Sequence, residues 1–188
     1  MGDHSLGCPK TSDKIARHNL LRDVLLRRQQ VLTWGPSRRR STCCPGIIAR
    51  PGDVTIRRWS NGKDGAIDVT VTSPLCPSNV VEAAAEAGAA LAKAYNRKMK
   101  DTAEACRHEG IAFLPFAMET LGGLHPGAVA TSRQLAAALA RCKGVAESVV
   151  TSQLFGRLSL TLMRANAVMI STRCQDADLP QALVDGIQ

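Results

Sequence analysis

Two alternating segments on either side of Asn61-Gly62 constrain this chain more than any other feature. Asp53-Val-Thr-Ile-Arg-Arg-Trp59 and Ala66-Ile-Asp-Val-Thr-Val-Thr72 both alternate apolar and polar residues, the period of a strand with one buried face. Asn-Gly accepts the positive φ angles of a tight turn, so the pair reads as a β-hairpin. A two-residue Asn61-Gly62 loop pairs residues whose numbers sum to 123, setting Val54 opposite Val69 and Ile56 opposite Ile67. The apolar faces then match. The same register sets Thr55 opposite Asp68 and Asp53 opposite Thr70, which makes Asp53 and Asp68 diagonal neighbours on the polar face, roughly 7 Å apart at the backbone. Two carboxylates aimed at one point can hold a divalent cation, although the same residues also suit an ordinary solvated face. A loop two residues longer would keep the faces, whereas a change of one would part the carboxylates.

Before the hairpin, Asn19 to Gln30 carries Leu20, Leu21, Val24 and Leu25 at helical spacing, with Val31 just beyond. Arg22, Asp23, Arg27 and Arg28 fall mostly on the other side, which predicts an amphipathic helix with a basic outer face. Residues 33–45, with Pro, Gly and Arg38, Arg39 and Arg40 in a row, read as a loop, and a short strand is expected near Ile47–Ile48. After the hairpin, Asn79 to about Arg107 reads as one long Ala-rich helix with Ser78 as its cap and Gly110 as its stop. Ile111 to Met118 is a buried strand, and Pro115 implies an edge or a bulge. Two helices follow, 127–143 and 145–173, with Leu154, Leu158, Leu162 and Met169 forming a buried stripe. The order is α-β-β-β-α-β with a C-terminal helical pair: an α/β domain over 17–173, with a loose tail at 174–188.

Charge is divided unevenly along this frame. Of a net +8, residues 1–63 carry 13 basic and 4 acidic side chains, while residues 64–188 carry 11 and 12. A basic third of this kind points to a polyanionic partner, most simply nucleic acid, with Arg38–Arg40 and Arg57 as the candidate contacts. Trp34 and Trp59 are possible stacking surfaces for bases, or simple packing. An apolar content of 45% excludes a disordered polyelectrolyte. No run approaches the ~20 apolar residues of a membrane span, and Met1 to Lys10 has no signal-peptide core, so the expectation is an intracellular protein, neither membrane-embedded nor secreted. Seven cysteines without CxxC spacing suggest small buried hydrophobes in a reducing compartment. His4 and Cys8 have the spacing of half a zinc site, and zinc needs four ligands.

These residues together resemble a known group. The element order, with Arg50-Pro51-Gly52-Asp53 and then Asp68-Val-Thr fifteen residues on, resembles the restriction-endonuclease-like (PD-(D/E)xK) nuclease superfamily. More narrowly, GDHSLGC (2–8), RHNLLRDVL (17–25), RPGDVTIRRWSNGKDGAIDVTVTSPL (50–75), GIAFLPFAMETLGG (110–123) and LFGRLSLTLMRANA (154–167) look like the region downstream of the reverse transcriptase in non-LTR retrotransposons with such a nuclease.

The resemblance implies a fold, a chemistry and roles. Asp53 and Asp68 would bind Mg²⁺ or Mn²⁺, which activates water and stabilises charge on a scissile phosphate. Two positions depart from the superfamily motif: Gly52 stands between Pro51 and Asp53, and Thr70 replaces the usual lysine. Such nucleases often draw the lysine from the following helix, where Lys98 is the best match and Lys93 the second; the two point to different faces. Glu119 is a candidate distant acid. His18 and His108 read as helix-surface residues, and His125 as local to a helix start. His4 and Cys8 match the last two ligands of a CCHC knuckle, so residues 1–16 look like its remnant and a linker, with Zn²⁺ expected only if upstream ligands exist. The implied partner is DNA, with element RNA a second possibility; in a eukaryote the site of action would be the nucleus. The implied activity is nicking of target DNA, and the alternative is a catalytically inactive nucleic-acid-binding remnant.

Overall fold

The hairpin forms where the alternation puts it. Strands β1 (Val54–Ser60) and β2 (Lys63–Thr72) pair antiparallel around Asn61 and Gly62, whose φ angles of 51° and 77° are those of a type I′ turn. The computed structural model to which they belong describes residues 12–32 and 52–175. His4, Cys8, Trp34, Arg38–Arg40, the strand expected at Ile47–Ile48 and most of the 174–188 tail lie outside the described residues.

The register differs from the expected one. Ser60 faces Lys63 as the turn requires, but beyond it Ile56 faces Gly65, Thr55 faces Ala66 and Val54 faces Ile67. Arg57, Arg58 and Trp59 therefore stand against Asp64 alone, a bulge with two extra residues on β1. Arg58 adopts φ 51°, and its N–H donates to the Asp64 carboxylate at 2.9 Å. Gly65 gives the bulge its room, because a Cβ there would lie 2.8 Å from Cγ of Trp59. A slip of two leaves every side chain on its expected face, so Val54 and Ile56 still point into the core.

Strand β3 (Ala112–Glu119) pairs parallel to β2, giving the order β1-β2-β3. Pro115 sits on this edge strand opposite Asp68, where its missing N–H costs no outer ladder bond. The crossover from β2 to β3 is two helices rather than the single one expected, α2 (Val80–Ala85) and α3 (Ala89–His108). The break comes at Glu86, which is extended, and Gly88, whose φ of 85° suits glycine. Ser78 does not cap the helix; its hydroxyl meets the Cys76 thiol, and Asn79 precedes α2 with its side chain bonded to Thr72 and Ser73. Gly110, at φ 69°, follows the end of α3 as expected.

Helices lie on both faces of the sheet. Against one pack α1 (Ser12–Leu32), α4 (Pro126–Lys143) and α5 (Glu147–Gln175). Their buried Leu21, Leu25, Leu135, Leu139, Leu154, Leu158 and Leu162 meet Val54, Ile67 and Phe116. Each such leucine stabilises the fold by ~1.5–3 kcal/mol. Met169, the last of the expected stripe on α5, is buried too. On the opposite face α3 sets Leu91 and Ala94 against Ala117, and Cys106 against Ala66 and Ile111. Cys142 is exposed, so the cysteines are not uniformly core.

The basic outer face expected of α1 is only partly there. Arg27 is exposed, but Arg28 is buried beside Arg157, and burial followed by that second cation weakens its hold on its proton. Arg17 is also buried, donating to Asn166 of α5 at 3.0 Å. Leu20 is exposed instead. The α1 stripe runs through 21, 25 and 28, and long arginine stems can lie along a core that short polar residues could not.

Candidate metal centre

Asp53 owes its position to the residue before it. Its N–H donates at 2.7 Å to the carbonyl of Ile67, the residue that Val54 already faces. A Cβ on residue 52 would stand 2.7 Å from that same carbonyl oxygen. Glycine is thus what allows the chain to approach β2 this closely. The paired register ends at Val54–Ile67, and the Asp53 amide turns to that same Ile67 rather than to Asp68. The expected pairing of Asp53 with Thr70 is not made, and each of the two carboxyl groups influences the proton affinity of the other.

Each carboxylate has its own set of partners. Oδ2 of Asp53 accepts the Val69 N–H at 2.7 Å and faces Nε2 of His18 at 2.9 Å. Oδ2 of Asp68 meets Nζ of Lys98 at 2.8 Å. Four elements converge here: α1 brings His18, the start of β1 brings Asp53, β2 brings Asp68 and α3 brings Lys98. Lys93, the other candidate, is exposed and bonded elsewhere, to the Ser78 carbonyl at 2.7 Å and the Glu82 carboxylate at 3.1 Å.

The electrostatics separate the two acids. Burial pushes the Asp53 carboxyl upward, but the hydrogen bonds from His18 and the Val69 amide outweigh it and hold the group below its ordinary range. Asp68 is held above its ordinary range, first by burial and then by the neighbouring Asp53 charge, with Lys98 only partly offsetting them. His18 is raised by its hydrogen bond to Asp53, against the pull of burial. Apart from His18, whose charge depends on pH, a single lysine faces the two acids.

Whether a cation fits rests on the donors present. Mg²⁺ is commonly held by one or two protein carboxylates, the rest of its shell being water and substrate phosphate oxygens, and this donor set suits that habit. A structural zinc site would need four ligands. Among the described residues no group of three or more His, Cys, Asp or Glu side chains could hold a metal. Asp53 and Asp68 would have to do so as a pair.

Comparison with protein-family models, with curated proteins and with solved structures finds no significant match.

The other candidates lie apart from this centre. Glu119 shares the α3-covered face of the sheet with Asp68 but pairs with Thr72, four residues along β2, or ~13 Å at strand rise. Its carboxylate lies by Gly123, and burial raises its affinity for a proton. His108 pairs with Glu104 on the exposed surface of α3. His125 is local, as expected: its Nδ1 accepts the Gly127 N–H at 3.1 Å at the start of α4, and its ring stacks on Tyr95. Arg57 is exposed on the bulge. No helix among the described residues is long and apolar enough to cross a membrane.

His18 is the functional candidate that the helix pattern concealed. It was expected on the outer surface of α1, yet it lies three residues before Leu21 and seven before Leu25, both buried. Those spacings put it on the buried stripe. A polar residue on that stripe, near a helix start, was the available signal.

Proposed function

We propose that this chain is a metal-dependent DNA endonuclease-like domain with a restriction-endonuclease-like core, of the kind carried by non-LTR retrotransposons, and that it nicks target DNA by phosphodiester hydrolysis. The observation that carries the reading is the convergence of Asp53, Asp68 and Lys98 from three separate elements, with Lys98 bonded to Asp68. The antiparallel β1–β2 pair, the parallel β3 and the helical crossover that delivers the lysine also support it.

In this reading Asp53 and Asp68 hold Mg²⁺ or Mn²⁺, which supplies Lewis acidity to the attacking water and the scissile phosphate. Asp53 keeps its charge because the Val69 amide and His18 donate to it, which leaves Oδ1 available as a ligand. Lys98 neutralises Asp68 in the resting state and can turn its ammonium toward charge that develops on the phosphate. His18 is a positioning residue, fixing the Asp53 carboxylate from behind.

Plasmid nicking tests the reading. Wild-type protein with Mg²⁺ or Mn²⁺ should convert supercoiled DNA to open circles, and Asp68→Ala should abolish the conversion. Absence of nicking in both would defeat the enzyme reading and leave the inactive nucleic-acid-binding remnant.

A further inference from the structure

A second site lies on the bulge. Ile56, Arg57, Arg58, Trp59 and Ser60 form one wall of a cleft of 440 Å³, and Gln134, Ala137, Ala138 and Arg141 of α4 form the other. In a regular strand consecutive side chains leave on opposite faces, so five successive residues could not line one cavity. The bulge makes this possible: the positive φ of Arg58 re-aims the chain, and the Asp64 carboxylate pins the Arg58 amide. The helical wall is built from positions i, i+3, i+4 and i+7, one face of α4, with two alanines keeping the floor low.

The chemistry of the cleft is cationic with one aromatic. Among the described residues none of the guanidinium groups of Arg57, Arg58 and Arg141 has a carboxylate within ion-pair distance. Asp64, the acid across the bulge, accepts the Arg58 backbone amide. Trp59 lies over Gly65 and also lines the cavity. Three uncommitted cations beside a fixed indole fit phosphodiester oxygens with a base laid on the ring. The volume falls in the range of small-ligand pockets, ~300–1,000 Å³, so it takes one nucleotide unit of a strand at a time and not a duplex.

We infer that this cleft binds single-stranded nucleic acid, with Arg57, Arg58 and Arg141 on the phosphates and Trp59 against a base. It is distinct from the metal centre, since Asp53 lies at the opposite end of β1. The inference rests on the nuclease reading only in taking nucleic acid as the ligand. A strand opened beside the nicking centre, or a primer about to be extended, has the matching chemistry.

The test is fluorescence anisotropy with a labelled oligothymidine in EDTA, which removes any contribution from catalysis. Arg57→Ala with Arg141→Ala should weaken binding at least tenfold. It should also lower the slope of log affinity against log salt by about 1.4, the share of two phosphate contacts on a single strand. Ala138→Glu adds a carboxylate to the floor without removing any packing and should weaken binding similarly. Trp59→Leu should weaken oligothymidine more than it weakens base-free polyphosphate. Unaltered affinity in both the double arginine variant and Ala138→Glu overturns the inference, even if plasmid nicking is observed. Binding through the cleft without nicking upholds it while the nuclease reading falls.

Discussion

Lys98 Nζ stands 2.8 Å from Oδ2 of Asp68, joining the middle of the crossover helix to the central strand of the sheet. Both side chains are mostly withdrawn from solvent, so the pair depends on α3 being docked against β2. Removing the lysine leaves two neighbouring acids with His18 as the one cation paired to them among the described residues. Lys98→Ala should therefore lower plasmid nicking by about 10²–10³-fold, the range typical of one lost electrostatic contact to a transition state. Lys98→Arg should recover part of the rate, and Lys93→Ala should have little effect. A rate that falls with Lys93→Ala and not with Lys98→Ala would assign the role to the other lysine.

The contact between His18 and Asp53 makes metal-free stability depend on pH. Asp53 is held below the ordinary carboxylate range, so its contribution is present above pH 3.8 and is lost as pH falls through its lower folded value. His18 is raised above 6.5, so its contribution is full below pH 6.5 and is lost as pH rises through its higher folded value. The pair should stabilise the protein most between these limits. Urea melts in EDTA at pH 5.5 and pH 8.5 should show a drop on the alkaline side that His18→Gln removes. An equal drop in the variant would show that the dependence comes from elsewhere.

Gly52 should tolerate no side chain. The 2.7 Å approach of a Cβ to the Ile67 carbonyl forces the backbone apart at the point where Asp53 bonds to β2. Gly52→Ala should cost ~1–3 kcal/mol in urea unfolding, the usual penalty for forcing atoms into a packed site. It should also reduce nicking by more than its stability loss explains, because Asp53 moves with the strand. Stability and rate both at wild-type values would contradict this account.

The α5 stripe offers a control on packing alone. Leu158 is fully buried between α5 and the sheet-side core, whereas Leu160, two residues on, is about half exposed. Leu158→Ala should cost ~2–5 kcal/mol and Leu160→Ala within about 0.5 kcal/mol, read from denaturant midpoints. Neither residue touches the carboxylate pair, so folded Leu160→Ala should nick at the wild-type rate.

What could be read from residues alone followed the reach of each signal. Alternation and Asn61-Gly62 act between near neighbours, and they located the hairpin. The bulge depends on Trp59 covering Gly65 and on Asp64 meeting the Arg58 amide, contacts that no period records. A helix pattern continued through Gly88 because Ala-rich sequence propagates it, and only the backbone at Glu86 and Gly88 ends α2. The choice between Lys93 and Lys98 needed the docking of α3. His18 was legible in principle, at positions −3 and −7 from two core leucines, but its partner lies 35 residues away.

The bulge at Arg57–Trp59 has a consequence for inheritance. The ribbon tolerates length changes only by parity. One residue gained or lost between Ile56 and Ser60 would rotate Asp53 to the far side of the sheet, while every letter of the RPGD and DVT motifs survived. A copy of this gene with such an indel would still look complete to a motif search, although its two carboxylates would never meet.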